Sequence, residues 1–562
     1  MSPPTADLFL QLHQMLGNLS LLTLSVVVLS CSFVSHLCFR FLEPRSASAL
    51  LVLLVVLPVL LSLPISYHVR WPAIISLPLA FVTYGASLLS FTLAYRLSPL
   101  HPLAKYPGPV IAKSSQWWAA YLGGEGDLHR YGKNLHDRYG DIVRVGPNAL
   151  SIRDPSLIPT VLGKGGLPKG PYWDNRPPSV VAQRDPIKHM NQRKPWSRAF
   201  SSAAIKEYEV FAAKRTRQLL GCIEDAVHQS GEKKGVVLDM AAWFNYFTTD
   251  FMGDMAFGGG FELMKAGGDD EGIWTLIESH LRFRAITGHV SYVLPPLLAI
   301  VGRKGSIRRI HAFARDRVVK RLQMGAKRKD LFYHLSGEAM PEDERPPLDD
   351  VAKDGALAIV AGSDTTSGAL TATLYYLLRN PTAYDRLQAE VDAAFPIGEE
   401  PLDVIKLSQM EWLNGCINES LRLLPPVPSG SPRSVDKGAG EKVLGKWVIP
   451  EGTQVALHTY SIQRDPRNFH TPDAFLPERW FSVGAPAGEH NPAAFLPFSH
   501  GPANCAGKNL ALMEMRMALC WVLRRFQFSK APGFRYEEWE GKILDWFAVY
   551  QPPLLVSISI RE

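Results

Sequence analysis

The stretch FSHGPANCAGKNLA, residues 498–511, sets a single cysteine, Cys505, between glycines and directly before an apolar helical run. A helix that begins just after the cysteine would aim its N-terminal amides and positive dipole end at the sulfur, which would lower the pKa of the thiol. Gly501 and Gly507 would let the backbone approach a flat group closely. Taken alone, the stretch also fits a buried structural cysteine, so the rest of the sequence must decide.

The bulk composition indicates a large globular protein. The chain has 562 residues, of which 46% are hydrophobic and 20% charged, so a large core can form. The net charge is +7, but Lys and Arg are interspersed with acidic residues, and nucleic-acid binding is therefore not expected. The six cysteines form no Cys-x-x-Cys pair, which argues against a disulfide framework or a zinc site. They indicate reduced thiols facing a cytosol-like compartment.

Residues 1–96 predict a membrane anchor with up to three transmembrane helices. The segments at about 17–39, 46–69 and 71–95 contain no Asp, Glu, Lys or Arg. Each is long enough to cross a hydrocarbon core of about 30 Å. A signal peptide is the alternative for the first segment, but that segment is too long and no basic residues precede it. Prolines in the second and third segments leave open a re-entrant pair.

Basic residues predict the orientation of this anchor. The N-terminal residues include Asp7 and no Lys or Arg, whereas Arg96 follows the third segment. The positive-inside rule then puts the N-terminus outside and everything after Arg96 in the cytosol. Residues 97–109 contain four prolines and predict an extended hinge. We expect the soluble domain to occupy residues 103–562.

The patterns after the hinge predict a mainly α-helical domain with small β-sheets. Residues 140–155 alternate in polarity around a Gly-Pro-Asn turn, which predicts a β-hairpin. Residues 185–395 are mainly helical, and the longest helix is predicted over 348–379. Residues 442–457 predict two strands around a Pro-Glu-Gly turn, and residues 507–526 predict the last long helix.

Polar residues interrupt the longest predicted helix at AGSDTTSG, residues 361–368. Ser, Asp and Thr compete with the backbone for hydrogen bonds in a helix interior. Gly362 further destabilises a helix by about 1 kcal/mol relative to Ala. The segment either opens a groove that receives a polar group or forms a plain polar kink.

Two charged pairs stand on predicted helices. Glu419 and Arg422 share a helix face among leucines, which suggests a buried pair with Arg479 of LPERW as a third partner, although a surface salt bridge is the ordinary alternative. His189 and Arg193 also share a helix face. They either clamp the acidic edge of a cofactor or are solvated.

The order and spacing of these patterns resembles the cytochrome P450 family from about Leu103 to the C-terminus. The AGSDTT segment, Glu-x-x-Arg at 419–422, PERW at 477–480 and Phe-x-x-Gly-x-x-x-Cys-x-Gly at 498–507 follow one another as in that family. The sequence GPANCAGKNLA and the predicted anchor are most similar to those of fungal microsomal members.

The resemblance implies that Cys505 is the axial thiolate ligand of the iron of haem b. Phe498 would pack beside the sulfur, and Gly501 and Gly507 would shape the loop against the cofactor. The protein would then be a haem-thiolate monooxygenase that activates O2.

The resemblance also assigns roles to the two other motifs. Asp364 and Thr365 would lie on the opposite side of the haem and relay protons during oxygen activation. Glu419, Arg422 and Arg479 would form a buried structural triad rather than catalytic groups.

One position departs from the family's pattern. Two residues before the cysteine the family usually carries Arg or His, which binds a haem propionate, and here that residue is Ala503. A buried propionate without a cation is unfavourable by several kcal/mol. We expect His189, Arg193 or Arg433 to replace the missing cation, and favour Arg433 because a guanidinium binds a carboxylate bidentately.

Electrons must come from a partner, since the sequence shows no flavin or nicotinamide fingerprint. The resemblance implies an NADPH-dependent flavoprotein reductase, and Lys194, Arg198 and Lys508 are candidates for its docking face. A haem-thiolate isomerase or peroxide-using relative is one alternative, and a membrane haem sensor or electron carrier is another. The intact Asp364–Thr365 pair favours the monooxygenase.

The predicted substrate is a lipophilic small molecule that arrives partly through the membrane lipid. The resemblance implies that this membrane is the endoplasmic reticulum. A terpenoid of secondary metabolism is preferred, and a fatty acyl chain or xenobiotic is the alternative. Residues 169–183, 290–300, 427–431 and 545–553 mix aromatic and aliphatic residues with few charges and are expected to line the pocket.

Overall fold

Three apolar helices precede the rest of the chain in the computed structural model. The structure describes residues 20–44, 46–69, 72–176, 179–231, 235–270, 272–295, 306–325, 329–396, 398–485 and 487–561. Helix α1 is Leu21–Phe41 and α3 is Ala73–Leu97. Helix α2 consists of three consecutive parts, Ala47–Leu51, the π-helical Val52–Val56 and Leu57–Val69.

Each of these helices is long and apolar enough to cross a membrane. They overlap the three predicted segments, of which residues 17–19 and 71 lie outside the described part of the chain. Tyr84 of α3 joins them, because its Oη lies 2.7 Å from Ser35 Oγ of α1 and 2.8 Å from the Leu53 carbonyl oxygen of α2. Leu53 belongs to the π-helical turn, where wider winding changes the backbone pairing.

The remaining described residues are mostly helical. The helices are α4 Val110–Ser114, α5 Trp117–Glu125, α6 Leu128–Tyr139, α7 Ile158–Leu162, α8 Pro186–Ala199, α9 Ser202–Ser230, α10 Met240–Phe257, α11 Leu263–Ala266, α12 Ile273–His289, α13 Ser306–Met324, α14 Leu331–Leu335, α15 Leu348–Arg379, α16 Pro381–Ala394, α17 Val404–Gln409, α18 Glu411–Leu423, α19 Thr459–Gln463, α20 Lys508–Arg525 and α21 Tyr536–Trp539.

Small sheets lie beside the helices. The strands are β1 Ile142–Gly146, β2 Ala149–Ile152, β3 Val236–Asp239, β4 Arg433–Val435, β5 Lys442–Leu444, β6 Trp447–Ile449, β7 Thr453–Leu457, β8 Phe526–Lys530, β9 Leu544–Trp546, β10 Ala548–Tyr550 and β11 Leu555–Ile560. One sheet has the order β1-β2-β7-β4, another β3-β11-β8, and β5-β6 and β9-β10 form two-stranded sheets. The pairing of β2 with β7 is parallel and the others are antiparallel. The fold is therefore mainly α with small β-sheets, as predicted.

Local patterns located most of these elements. The hairpin of β1 and β2 is confirmed, and α15 has the predicted bounds. The prediction of two strands in residues 442–457 is wrong, because three strands form there. Strands β5 and β6 pair around Gly445, which has a φ of +55°, and β7 leaves this hairpin to join β2 in another sheet.

Helix α15 runs through the core and packs against α10, α13, α18 and α20. The predicted contact of Glu419 with Arg422 and Arg479 is confirmed beside it. Arg422 donates to both Glu419 carboxylate oxygens at 2.9 and 2.8 Å, and Arg479 Nε donates to Glu419 Oε1 at 3.0 Å. All three side chains are buried. This network ties α18 to the segment that leads into the Cys505 loop.

Candidate functional site

A cavity of about 410 Å³ lies between α15, α12 and the loop that precedes α20. One wall is the apolar face of α15, with Ala358, Ala361 and Ala369, and the opposite wall includes Phe498 and Cys505. Ala361 and Ala369 lie eight residues apart, so they share one face of the helix. The AGSDTT segment of α15 and the Cys505 loop, which were predicted to act together, therefore lie on opposite sides of this cavity.

The loop before α20 holds Cys505 at the edge of this cavity. The Cys505 amide donates to the Phe498 carbonyl at 2.9 Å, which closes the loop. Its side chain is exposed to the cavity, and the amides of Gly507 and Lys508 donate to the sulfur. The cysteine thus faces the cavity at the N-terminus of α20.

The predicted lowering of the Cys505 pKa is wrong for the thiol in this structure. Burial raises the pKa above its usual value. The amides of Gly507 and Lys508 and the charge of Arg193 act in the opposite direction, as predicted, but burial outweighs them. The sequence showed the amides and the helix but not how deeply protein encloses the sulfur.

Gly501 and Gly507 of this loop have different surroundings, and only Gly501 has a backbone conformation and a close contact that need a glycine. Gly501 has a φ of +73°, and a Cβ there would lie 2.0 Å from the Leu162 carbonyl oxygen. The backbone at Gly501 therefore lies close to Leu162, the C-terminal residue of α7, and not to a flat group in the cavity. Gly507 lines the cavity, and a Cβ there would make an ordinary 3.6 Å contact with the Phe200 ring. The neighbouring protein atoms leave room at Gly507.

The Asp364–Thr365 pair of α15 faces two directions. Thr365 lines the cavity, and its Oγ1 donates to the Ala361 carbonyl at 2.7 Å. Asp364 is buried behind the cavity lining, and its Oδ2 has no hydrogen-bond partner among the described residues. Helix α15 is α-helical throughout residues 361–368, so the predicted opening does not occur as a break in the helix. The Thr365 hydroxyl instead bonds to the helix backbone.

A second carboxyl group lies near Asp364. Burial and the charge of Glu278, on α12, raise the pKa of Asp364 to about 7. Burial and the charge of Asp269 raise the pKa of Glu278 to about 7, although a hydrogen bond with Trp274 opposes them. Glu278 Oε1 is buried and has no partner among the described residues. Glu278 was not predicted, because only folding brings α12 next to α15.

Four basic side chains converge at the end of the cavity beside Ala503. Lys169, His189, Arg193 and Arg433 all line it. Arg193 Nη1 donates to the Asn504 carbonyl at 2.7 Å, and Arg193 Nη2 donates to Asn504 Oδ1 at 3.1 Å, which joins α8 to the cysteine loop.

Lys169, His189 and Arg433 are buried, and none of the four basic side chains has a carboxylate partner within the described ranges. Arg433 is 5% exposed, its Nε has no partner there, and burial lowers its pKa to about 10. Burial, followed by the charges of Arg433 and Arg193, lowers the pKa of Lys169 to about 7. Burial and the charges of Lys169, Arg193 and Arg433 lower the pKa of His189 to about 4. The unpaired donors fit the two propionate carboxylates of haem b, which extend from one edge of the ring.

Lys169 is the cation that sequence reasoning missed. It begins the segment that was predicted to line the pocket, but its role depends on an isolated β-bridge that places it beside Arg433. Its Nζ donates to the Val180 carbonyl at 2.6 Å, which directs the side chain along the cavity. A lone lysine in an apolar segment was the only local signal.

Most of the predicted pocket segments contribute to the lining. Residues 169–183, 427–431 and 545–553 each do so. Of residues 290–300, the last five lie outside the described chain, and none of the others lines the cavity. Helix α12 contributes instead, with His280, Leu281 and Arg284.

The predicted docking residues lie on the outer side of the cysteine loop. Lys194 and Arg198 are exposed on α8, and Lys508 is exposed at the start of α20. Lys508 Nζ lies 5.7 Å from the centroid of the Phe498 ring, so the basic face begins directly behind the loop.

Comparisons with known proteins agree with these motifs. The family model described as Cytochrome P450 matches residues 109–552. The chain is 32% identical over 478 residues to cytochrome P450 monooxygenase phqL of Penicillium fellutanum, covering 84% of this chain and 82% of the relative. It is 34% identical over 447 residues to cytochrome P450 monooxygenase nodW of Hypoxylon pulicicidum, covering 78% and 79%. It is 32% identical over 483 residues to cytochrome P450 monooxygenase cpaH of Aspergillus oryzae, covering 83% and 90%.

Proposed function

The chain belongs to the cytochrome P450 family, and on that basis we propose that it is a membrane-anchored monooxygenase that oxidises a lipophilic small molecule of secondary metabolism. The observation that carries the proposal is that Cys505 and Thr365 line the same mainly apolar cavity. The haem supplies the activation of O2 when it is bound, with the cysteine as its thiolate ligand. The chain's own residues bind the haem, orient the substrate and deliver protons.

Cys505 is the iron ligand in this proposal. The amides of Gly507 and Lys508 donate to the sulfur, and the α20 dipole favours negative charge there. Removal of the thiol proton is opposed by burial, so coordination to a cation is what makes the thiolate stable at neutral pH. Phe498 lies on the same loop and lines the cavity together with the cysteine.

Thr365 and Asp364 divide the delivery of protons between them. The Thr365 hydroxyl faces the cavity and holds a proton where oxygen chemistry takes place. Asp364, with its pKa raised to about 7 by burial and by Glu278, can both hold and release a proton near neutral pH. The Asp364 carboxyl lies behind the cavity lining, near the Glu278 carboxyl of α12, and in this proposal supplies the proton that the Thr365 hydroxyl delivers.

Lys169, His189, Arg193 and Arg433 hold the haem propionates in place of the family's usual cation at Ala503. The two guanidinium groups supply bidentate geometry. Lys169 and His189 become more basic when an anion is adjacent, since each has its pKa lowered now by burial and by neighbouring cations. The cationic cluster therefore suits two carboxylates better than one.

The proposal includes three partners, namely the membrane, a reductase and the substrate. Residues 1–96 anchor the protein in the endoplasmic reticulum, and residues 103–562 form the catalytic domain on the cytosolic side. Residues 97–109 connect them through turns that bury Leu103 and Tyr106, not as the extended hinge that the prolines predicted. An NADPH-dependent flavoprotein reductase docks on Lys194, Arg198 and Lys508 and supplies two electrons. The substrate is preferably a terpenoid, and a fatty acyl chain is the second candidate.

The test is turnover with ¹⁸O2 in membranes that contain the protein, the reductase and NADPH, with a panel of terpenoids and fatty acids. A monooxygenase incorporates one labelled oxygen atom into product. In Thr365→Ala, NADPH consumption continues while peroxide replaces much of the product. An electron carrier would consume NADPH without labelled product, and Thr365 is not part of proton delivery if the yield of product per NADPH is unchanged.

A further inference from the structure

Besides Arg193 and Arg433, two further guanidinium groups of the cavity have no carboxylate partner among the described residues. Arg176, in the segment before α8, and Arg284, on α12, line the same cavity as Thr365 and Cys505. Within the described ranges neither forms an ion pair, and Arg176 Nη2 is buried without a hydrogen-bond partner. Burial and the charge of Arg176 lower the pKa of Arg284 to about 10. The two like charges thus lie close together in an enclosed space.

Aromatic rings and a glycine fix the Arg176 guanidinium. Its central carbon lies 4.5 Å from the centroid of the Tyr172 ring and 4.8 Å from that of Trp173. A Cβ at Gly288 of α12 would lie 2.7 Å from Arg176 Nη2, so only glycine leaves this space free without a shift of the guanidinium. The cation is therefore held in place before any ligand binds.

Arg284 and Trp173 add oriented donors. Arg284 Nε donates to His280 Nε2 at 2.6 Å, which fixes the plane of the guanidinium and leaves its terminal nitrogens for another acceptor. Trp173 is 3% exposed and lines the cavity, and its Nε1 has no partner among the described residues. An unsatisfied buried N–H is unfavourable by about 1–3 kcal/mol, so such groups usually have a partner or await one.

These donors are separate from the cations beside Ala503. The neighbouring charges that act on Lys169 are those of Arg433 and Arg193, whereas the cation that acts on Arg284 is Arg176. Arg284 lies on α12, whereas the four basic residues beside Ala503 come from α8, β4 and the segment at Lys169. The cavity accordingly has one cationic group near the cysteine loop and another at the α12 side.

We propose that Arg176, Arg284 and Trp173 bind a carboxylate carried by the substrate, which makes the substrate a lipophilic acid. This inference rests on the proposed function of the cavity as a monooxygenase site. Two adjacent guanidiniums repel each other in a low-dielectric site and gain most from a shared anion. A carboxylate suits a route through the membrane better than a phosphate, because it can cross as the neutral acid. The apolar face of α15 then receives the hydrocarbon part.

Binding of matched acids and esters to the holoenzyme tests the proposal. Palmitic acid with methyl palmitate, and abietic acid with methyl abietate, are titrated while the substrate-induced shift of the Soret band is followed. We expect an acid to bind at least about tenfold more tightly than its ester in one or both pairs. Arg284→Gln should abolish that preference. Equal affinities in both pairs, or a preference that survives in Arg284→Gln, would overturn the proposal.

The matched control is Arg282→Gln, on the same helix. Arg282 Nε donates to the Gly124 carbonyl at 3.2 Å, and its guanidinium lies 5.6 Å from the centroid of the Trp546 ring. Arg282 is exposed and lies outside the cavity lining, so Arg282→Gln should keep the preference for acids.

Thermal unfolding without ligand adds a readout that needs no chosen substrate. Arg284→Gln relieves repulsion from Arg176 and should leave the Tm unchanged or raise it, as expected at a functional site. A fall in Tm of several degrees in Arg284→Gln, with none in Arg282→Gln, would show a structural role of Arg284 and contradict the proposal. The carbon-monoxide spectrum and product formation, measured on the same preparations, report failure of the proposed function separately. If both are intact while acids show no advantage, only the carboxylate site is wrong.

Discussion

At Ala503, where the family resemblance predicts a cation, the chain has a methyl group, and the structure brings basic side chains from three other parts of the chain to the same place. Arg193 is engaged with Asn504, whereas the Nε of Arg433 has no partner among the described residues. Arg433 is therefore the better candidate to bind a propionate, and Lys169 beside it is the second.

Arg433→Ala should weaken haem binding by about 3 kcal/mol, because it leaves a buried propionate without its cation. Lys169→Met should have a smaller effect in the same direction, and Ala503→Arg should restore part of the Arg433→Ala loss. The measurement is the haem content after gel filtration. Lys164→Met is the control, since Lys164 is exposed near the same segment. If Arg433→Ala retains haem as well as the wild type does, the propionate is held by His189 and Arg193 instead.

Asp364 should make stability depend on pH in a predictable direction. Burial and the Glu278 charge raise its pKa to about 7, whereas an unfolded chain has an Asp pKa of about 3.9. The folded state thus holds a proton that the unfolded state releases, and the resulting stability is lost as pH rises from about 4 through 7. Asp364→Asn should therefore have a higher Tm than the wild type at pH 8 and a similar Tm near pH 4.

The control for this comparison is Asp343→Asn, because Asp343 is exposed. Its difference from the wild type should not grow with pH. A Tm difference for Asp364→Asn that is constant from pH 4 to 8 would mean that Asp364 is ionised throughout, and it would remove this carboxyl as a proton donor near neutral pH.

At the scale of elements, the loop before α20 is shaped by its contact with α7. Gly501→Ala should be strongly unfavourable, because φ is +73° and the new Cβ would lie 2.0 Å from the Leu162 carbonyl oxygen. We expect a loss of about 2 kcal/mol or more in the free energy of unfolding, together with reduced haem content. Thermal unfolding and the absorbance of bound haem measure both effects.

The same substitution at Gly221 is the control. Gly221 lies inside α9, and a Cβ there meets no atom within 4 Å. Gly221→Ala should stabilise the protein by about 1 kcal/mol, since alanine favours the helix. If Gly501→Ala also stabilises the protein, the loop does not depend on its approach to α7.

Elements that depend on local pattern were predictable, and those that depend on distant partners were not. Helix α15 was predicted at its observed bounds because its apolar residues recur at helical spacing. Strand β7 was recognised as a strand, but its parallel pairing with β2 joins residues about three hundred positions apart in sequence. The separation of Asp364 from Thr365 follows from their positions on the helix, whereas the proximity of Glu278 depends on how α12 packs.

At the scale of the whole molecule, the apolar helices contact the catalytic part of the chain. Lys437 Nζ lies 3.0 Å from Glu43 Oε1, and Arg96 Nη1 donates to the Ser114 carbonyl at 2.6 Å. The proposed anchor thus contacts the domain through Glu43 and Arg96, in addition to the covalent connection at residues 97–109. Lys194, Arg198 and Lys508 lie on the face behind the cysteine loop, where a reductase can approach the haem.

Lys194→Glu should slow the first electron transfer from the reductase severalfold at low salt, because it reverses a charge on the proposed docking face. The difference from the wild type should narrow at high salt as the charges are screened. Stopped-flow reduction under carbon monoxide measures the rate. Lys442→Glu, at an exposed lysine of β5, is the control and should leave the rate unchanged. Equal slowing by both variants would argue against a specific docking face.

The central claim is that Cys505 supplies a thiolate to a haem in this cavity. The most direct measurement is the absorbance spectrum of the reduced protein with bound carbon monoxide, compared among the wild type, Cys505→Ala and the control Cys222→Ala, which removes a half-buried thiol on α9. We predict the strongly red-shifted Soret band of thiolate-ligated haem in the wild type and in Cys222→Ala, and its absence in Cys505→Ala. Retention of that band in Cys505→Ala would contradict the claim.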